Sequence, residues 1–100
     1  MTTTIQETEA RITATLAGEL DTASAPEVEK ALEPLLNSNG KEIIIDCTDL
    51  EYISSSGLRV LLSILKQAKS VGSRVVLKNV NEVIRDVLEL TGFVSIFEME

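Results

Sequence analysis

Between Lys41 and Leu77 the chain reads strand, helix, strand, and this order constrains the fold more than any other feature. Lys41 to Cys47 (KEIIIDC) is a short run of aliphatic, β-branched residues, and Arg74 to Leu77 (RVVL) is a second. Between them Leu58, Leu61, Leu62, Leu65 and Ala68 recur at the spacing of one buried helical face, while Arg59, Ser63, Lys66 and Lys69 take the other sides. Ser70-Val71-Gly72-Ser73 closes the helix. Two strands joined by one helix within about thirty residues form a βαβ unit, whose strands are parallel and whose crossover is right-handed. The continuous apolar run at the centre of Lys41 to Cys47, Ile43-Ile44-Ile45, predicts a central strand covered on both faces.

The remaining elements add to this unit. Ile12, Ala14 and Leu16 alternate with Arg11, Thr13 and Thr15, so Thr3 to Thr8 and Arg11 to Ala17 predict a hairpin turning near Glu9 and Ala10. Gly18-Glu19-Leu20-Asp21 breaks the alternation. Ser24-Ala25-Pro26-Glu27 has the pattern of a capping box, and Val28, Ala31, Leu32, Leu35 and Leu36 give the following helix its buried face. Pro34 falls inside that pattern and predicts a kink or a loosened last turn, before Asn37-Ser38-Asn39-Gly40 forms a loop. A third helix is expected from Asn79 or Asn81, with Val80, Val83, Ile84, Val87 and Leu88 inward and Gly92 closing it. Phe93 to Phe97 reads as a last short strand. The sum is one α/β domain, residues 1–100, with a mixed four- to five-stranded sheet and helices packed mainly on it.

Composition removes whole classes of function. One hundred residues suffice for a single modest core. A net charge of −7 repels phosphate backbones and anionic membranes, so neither nucleic acid nor a membrane surface is an expected partner. The chain contains no histidine, which rules out a Ser-His or Cys-His pair and the common zinc ligand sets. No GxxxxGK, GxGxxG or GxSxG motif occurs. Glu19, Asp21, Asp46, Asp49 and Glu51 read as turn-formers and solvated charges. Cys47, the single cysteine, reads as an apolar filler at a strand end. No enzyme activity, cofactor or metal is expected. The N-terminus carries no signal pattern, so the expected location is the cytoplasm. No long heptad run suggests a dimer, and the free chain is expected to be a monomer.

Ser54-Ser55-Ser56-Gly57 falls where the central helix begins. A helix start leaves N–H groups unpartnered and carries the positive end of the dipole, which suits both a capping hydroxyl and an added anion. Two readings follow: Ser55 or Ser56 caps the helix, or one of these serines carries a modification.

GELD at Gly18 to Asp21, the aliphatic strand ending in Asp46, and YISSSGLRVLL from Tyr52 to Leu62 together resemble the STAS domain. The helix from Asn81 to Leu90 and the TGF turn at Thr91 to Phe93 follow in the same order. That domain is shared by bacterial anti-sigma factor antagonists and the cytoplasmic tails of sulphate transporters. The resemblance covers essentially the whole chain. It implies a non-enzymatic partner switch that binds an anti-sigma factor with serine kinase activity, is released on phosphorylation, and is reset by a phosphatase. The modified residue in such proteins is the first serine of an Asp-Ser-Ser-Gly motif. Here Ser54 stands at the aspartate position and Ser55 at the phosphoacceptor position. Asp21, Ser54, Ser56, Gly57, Leu58 and Arg59 are the implied partner contacts. A second reading is an accessory subunit that docks on a membrane transporter, such as a lipid-transport ATPase, without phosphorylation. A nucleotide-binding domain ranks last, since no phosphate loop is present.

Overall fold

The structure, a computed structural model, describes all residues from Met1 to Glu100. Strand β1 (Thr2–Glu7) turns at Thr8 to Ala10 into β2 (Arg11–Leu20), followed by helix α1 (Ala25–Ala31) and a 3-10 turn (Glu33–Asn37). Then come β3 (Glu42–Ile53), α2 (Ser55–Ser70), β4 (Val75–Lys78), α3 (Glu82–Thr91), a 3-10 turn (Phe93–Ser95) and β5 (Glu98–Met99). The five strands lie in sequence order. β1 pairs antiparallel with β2, and every later pairing is parallel.

Because the strand order advances in one direction from β2 to β5, three right-handed crossovers place all three helices on the same face of the sheet. The core agrees. Ile12, Ala14, Leu16, Ile43, Ile45, Cys47, Val75 and Leu77, which share one face, form a single buried cluster with Val28, Leu32, Leu58, Leu61, Ile64, Leu65, Ile84 and Leu88 from the helices. Ile44 and Val76 point the opposite way and stand outside that cluster, yet they are 8% and 0% exposed.

No helix covers this second face, which corrects the expectation drawn from the apolar run of β3. Its cover is polar. Arg11 pairs with Glu42 at 3.3 Å, Glu42 with Arg74 at 3.4 Å, and Arg74 with Glu98, so a row of alternating charges crosses the sheet two residues before Ile44, on the same face. Asp46 and Lys78 form the row beyond. The hydrocarbon stems of long charged side chains can shield an apolar pair while their heads stay wet.

Other expectations shift in detail. Pro34 does not kink a long helix; α1 ends at Ala31, and Pro34 opens the separate 3-10 turn, where its missing N–H costs nothing. Ser24 makes no capping bond to α1. Its hydroxyl is committed to the preceding turn, donating to the Glu19 carbonyl at 3.0 Å and accepting the Asp21 N–H at 3.0 Å. On α3, Ile84 and Leu88 are buried while Val83 is 54% exposed. Phe93 to Ser95 turns rather than extends, and the last strand is Glu98–Met99. Strand β3 does not end near Asp46 but continues to Ile53, past two register shifts against β2. At the first, Asp46 accepts from the Thr48 N–H at 3.0 Å and the Thr48 hydroxyl at 2.6 Å. These bulges carry β3 to the end of β2 and so set where α2 can begin.

Candidate functional site

Residue Ser54 leaves β3 in extended backbone geometry (φ −90°, ψ 173°) and its hydroxyl accepts the Gly57 N–H at 3.2 Å. Ser54 is therefore the N-cap of α2, not Ser55 or Ser56 as the sequence suggested. A serine and an aspartate fill this capping role by the same hydrogen bond.

Capping by Ser54 places Ser55 at the first helical position, exposed and with no hydrogen bond to its hydroxyl. No carboxylate touches it, and without histidine the chain offers no base. The hydroxyl can receive a group from an external donor; it cannot serve as an activated nucleophile.

Two anchors fix the loop. The Ser54 N–H donates to the Leu20 carbonyl at 2.8 Å, joining the start of α2 to the end of β2. Gly57, buried, then packs against that same residue so closely that a β-carbon would stand 2.6 Å from Leu20 Cγ and 3.0 Å from the Leu20 carbonyl oxygen. Leu58 is 2% exposed and belongs to the core. Gly57 and Leu58, expected as partner contacts, instead face inward and seat the loop. Gly57 lines none of the depressions around the loop, and Leu58 contributes to the lining of one.

Asp21 follows Leu20 directly and lies beside the serine loop. Its carboxylate accepts the Ser24 N–H at 2.9 Å, and hydrogen bonding to Ser24 holds its pKa below the ordinary carboxylate value. Thr22 in the same turn sits 3.5 Å from Ser56, hydroxyl to hydroxyl, and bridges the two loops. Sequence reading missed Thr22; only the parallel pairing of β2 with β3, which brings both strand ends to one edge, makes it visible.

Two depressions border the serines, and a third lies against the Asp21 turn. An open acidic cleft of about 500 Å³ is lined by Glu19, Asp21, Glu27 and Glu51 with Ser24 and Met1. A groove of about 330 Å³ between α1 and α2 includes Thr22, Glu29, Ser56 and Arg59. A more apolar one of about 240 Å³ runs past Ser55, Leu58, Arg59, Leu62, Thr91 and Phe93. Arg59 is exposed and lines both grooves. No group of three or more acidic, cysteine or histidine side chains is placed to hold a metal ion. Cys47 is remote from this chemistry, 1% exposed, with burial and the neighbouring Asp46 charge pushing its thiol up to about 12. No helix is long and apolar enough to cross a membrane.

A single sheet with three helices on one face is an arrangement shared by known proteins. The chain belongs to the STAS domain family, whose model matches residues 2–100. It is 34% identical over 97 residues to BtrV of Bordetella bronchiseptica, a protein assigned as an anti-sigma factor antagonist, spanning 97% of this chain and 84% of that one. A crystal structure from Thermotoga maritima of a protein assigned the same role superposes with a TM-score of 0.85 at 27% identity, covering 97% of this chain and 84% of the other. The fold also matches that of the Bacillus cell fate determinant SpoIIAA in its phosphorylated form, with a TM-score of 0.74 at 20% identity, covering 99% and 91% of the two chains.

Proposed function

We propose that this protein is an anti-sigma factor antagonist of the partner-switching kind, without catalytic activity of its own. Unmodified, it binds an anti-sigma factor that is also a serine kinase; phosphorylation of Ser55 releases it, and a phosphatase restores it. The observation that carries this reading is the placement of Ser55. It is exposed and unbonded at the first turn of α2, beside a capping Ser54 that leaves the Ser55 hydroxyl free. The likeness to anti-sigma factor antagonists over nearly the full chain supports it.

A phosphate at Ser55 brings a charge of about −1.5 to −2 to a helix start that tolerates it, so the fold survives. The interface does not. Asp21 already puts a carboxylate beside the loop, and a partner fitted to it would have to desolvate a second, stronger anion. A cost of about 3 kcal/mol corresponds to roughly a hundredfold weaker binding.

The test is to isolate the cognate kinase, map the phosphosite by mass spectrometry, and measure binding of the unmodified protein, the phosphoprotein, Ser55→Ala and Ser55→Asp. Ser55→Ala should bind and resist the kinase, and Ser55→Asp should bind poorly. Phosphate on Ser54 or Ser56 would overturn the assignment, and a phosphoprotein that binds as tightly as the unmodified one would overturn the switch. One observation favours the second reading, docking on a transporter. The groove past Ser55 is lined by Leu58, Leu62 and Phe93, and Leu90, which precedes the lining residue Thr91 in the chain, is 87% exposed. An equally tight phosphoprotein would make that apolar strip the better candidate for the interface.

A further inference from the structure

We propose that Arg59 is the internal counter-ion of phosphorylated Ser55, so that modification both adds an anion and withdraws the loop's one cation from the partner. This rests on Ser55 being the modified residue. Arg59 lies four residues after Ser55, on the adjacent turn of α2 and on the same side of the helix. Helical side chains lean toward the helix N-terminus, so the guanidinium at 59 reaches back over position 55 and not away from it. An anion preceding a cation by four residues is also the more favourable order on a helix.

The surroundings leave Arg59 available. Its side chain forms no ion pair within 4.0 Å, unlike Arg11, Lys41 and Arg74, each of which is paired with glutamate. Its guanidinium makes no hydrogen bond, and the Ser63 hydroxyl donates to its backbone carbonyl at 3.0 Å. Among the residues lining the two grooves that flank the serines, Arg59 is the sole cation. The other charges nearby are carboxylates: Asp21 in the turn after β2, Glu29 on α1 and Glu51 on β3; the α3 side contributes Thr91 and Phe93, which are uncharged. A dianion at Ser55 therefore has one cationic side chain to pair with. A guanidinium presents a planar fork that donates two parallel N–H groups to a pair of phosphate oxygens, whereas an ammonium acts as a point charge.

The experiment introduces phosphoserine at position 55 during translation, independently of any kinase, in the otherwise native chain and in Arg59→Gln and Arg59→Lys. The second phosphate pKa, ordinarily about 6, is then read by phosphorus NMR titration. The free N–H groups and the carboxylates act equally in all three proteins, so differences isolate residue 59. The native chain should titrate about half a unit or more below Arg59→Gln, with Arg59→Lys between them, and the Arg59 Nε–H resonance should move on phosphorylation. Indistinguishable titrations in the native chain and Arg59→Gln would overturn the pairing even if a kinase modifies Ser55. Conversely, a kinase that modifies another residue would overturn the assignment of Ser55 as the modified serine while leaving the NMR result to decide the pairing.

Discussion

Substituting Gly57 by alanine tests whether the serine loop is seated by a close backbone contact. The added methyl would lie 2.6 Å from Leu20 Cγ, 3.0 Å from Ile53 Cγ1 and 3.0 Å from the Leu20 carbonyl oxygen. Leu20 and Ile53 are 0% and 1% exposed, so neither can swing aside into solvent. Alanine should gain about 0.5–1 kcal/mol from the reduced freedom of the unfolded chain and its better helix propensity. Overpacking of a filled core costs about 1–3 kcal/mol, and a contact at 2.6 Å against a branched buried carbon belongs in the upper half of that range. The net expectation is a loss of about 1–2 kcal/mol, which for a chain this size lowers Tm by about 5–10 °C. Urea and thermal unfolding followed by circular dichroism measure it. A double-mutant cycle with Leu20→Ala makes the reasoning specific, because removing the obstructing side chain should shrink the cost of Gly57→Ala. Gly57→Ala at or above native stability, or a cost unchanged in the Leu20→Ala background, would refute the close-packing argument.

Other consequences can be checked on the same protein. Ser54→Ala should lose about 1 kcal/mol by removing the cap, whereas Ser54→Asp should retain or slightly raise stability at neutral pH through the cap and helix dipole; a harmless Ser54→Ala in urea unfolding would show that the cap is not used. Hydrogen bonds from Ser24 lower the pKa of Asp21, and bonds from Thr48 and Asn79 lower that of Asp46. Both groups therefore contribute stability that is fully present above the ordinary carboxylate value and is lost as the pH falls through their lower folded values. Asp21→Asn and Asp46→Asn should each flatten the acid limb of a stability-against-pH curve below about pH 4, and an unaltered limb would contradict those bonds. With its thiol raised to about 12 and almost no exposure, Cys47 should label slowly with thiol reagents at pH 8 until the protein is unfolded; rapid labelling of the native state would place it outside the core.

Much of the fold was legible because it depends on local periodicity. The leucines of α2 and the β-branched runs of β3 and β4 specify one βαβ unit, and Asn81 and Gly92 mark the ends of α3 by capping chemistry that acts within a few residues. The candidate phosphoacceptor was legible too, through the order of motifs along the chain.

What the sequence left undecided depends on contacts between distant segments. Ile44 and Val76 look like residues of a strand buried by helices on both sides, but a strand order that advances in one direction puts every helix on one face. The second face is then closed by charged side chains, whose pairing across Arg11, Glu42, Arg74 and Glu98 requires the register of four strands. Three consecutive serines likewise cannot reveal which one caps the helix. That choice falls to Ser54 because the Leu20 carbonyl holds its N–H and a buried Leu20 admits only glycine at position 57. Local periodicity specified the central βαβ unit and the loop that carries the serines; contacts between distant segments set which serine faces out, since burial and hydrogen bonding at a helix start are fixed by the strand it packs against.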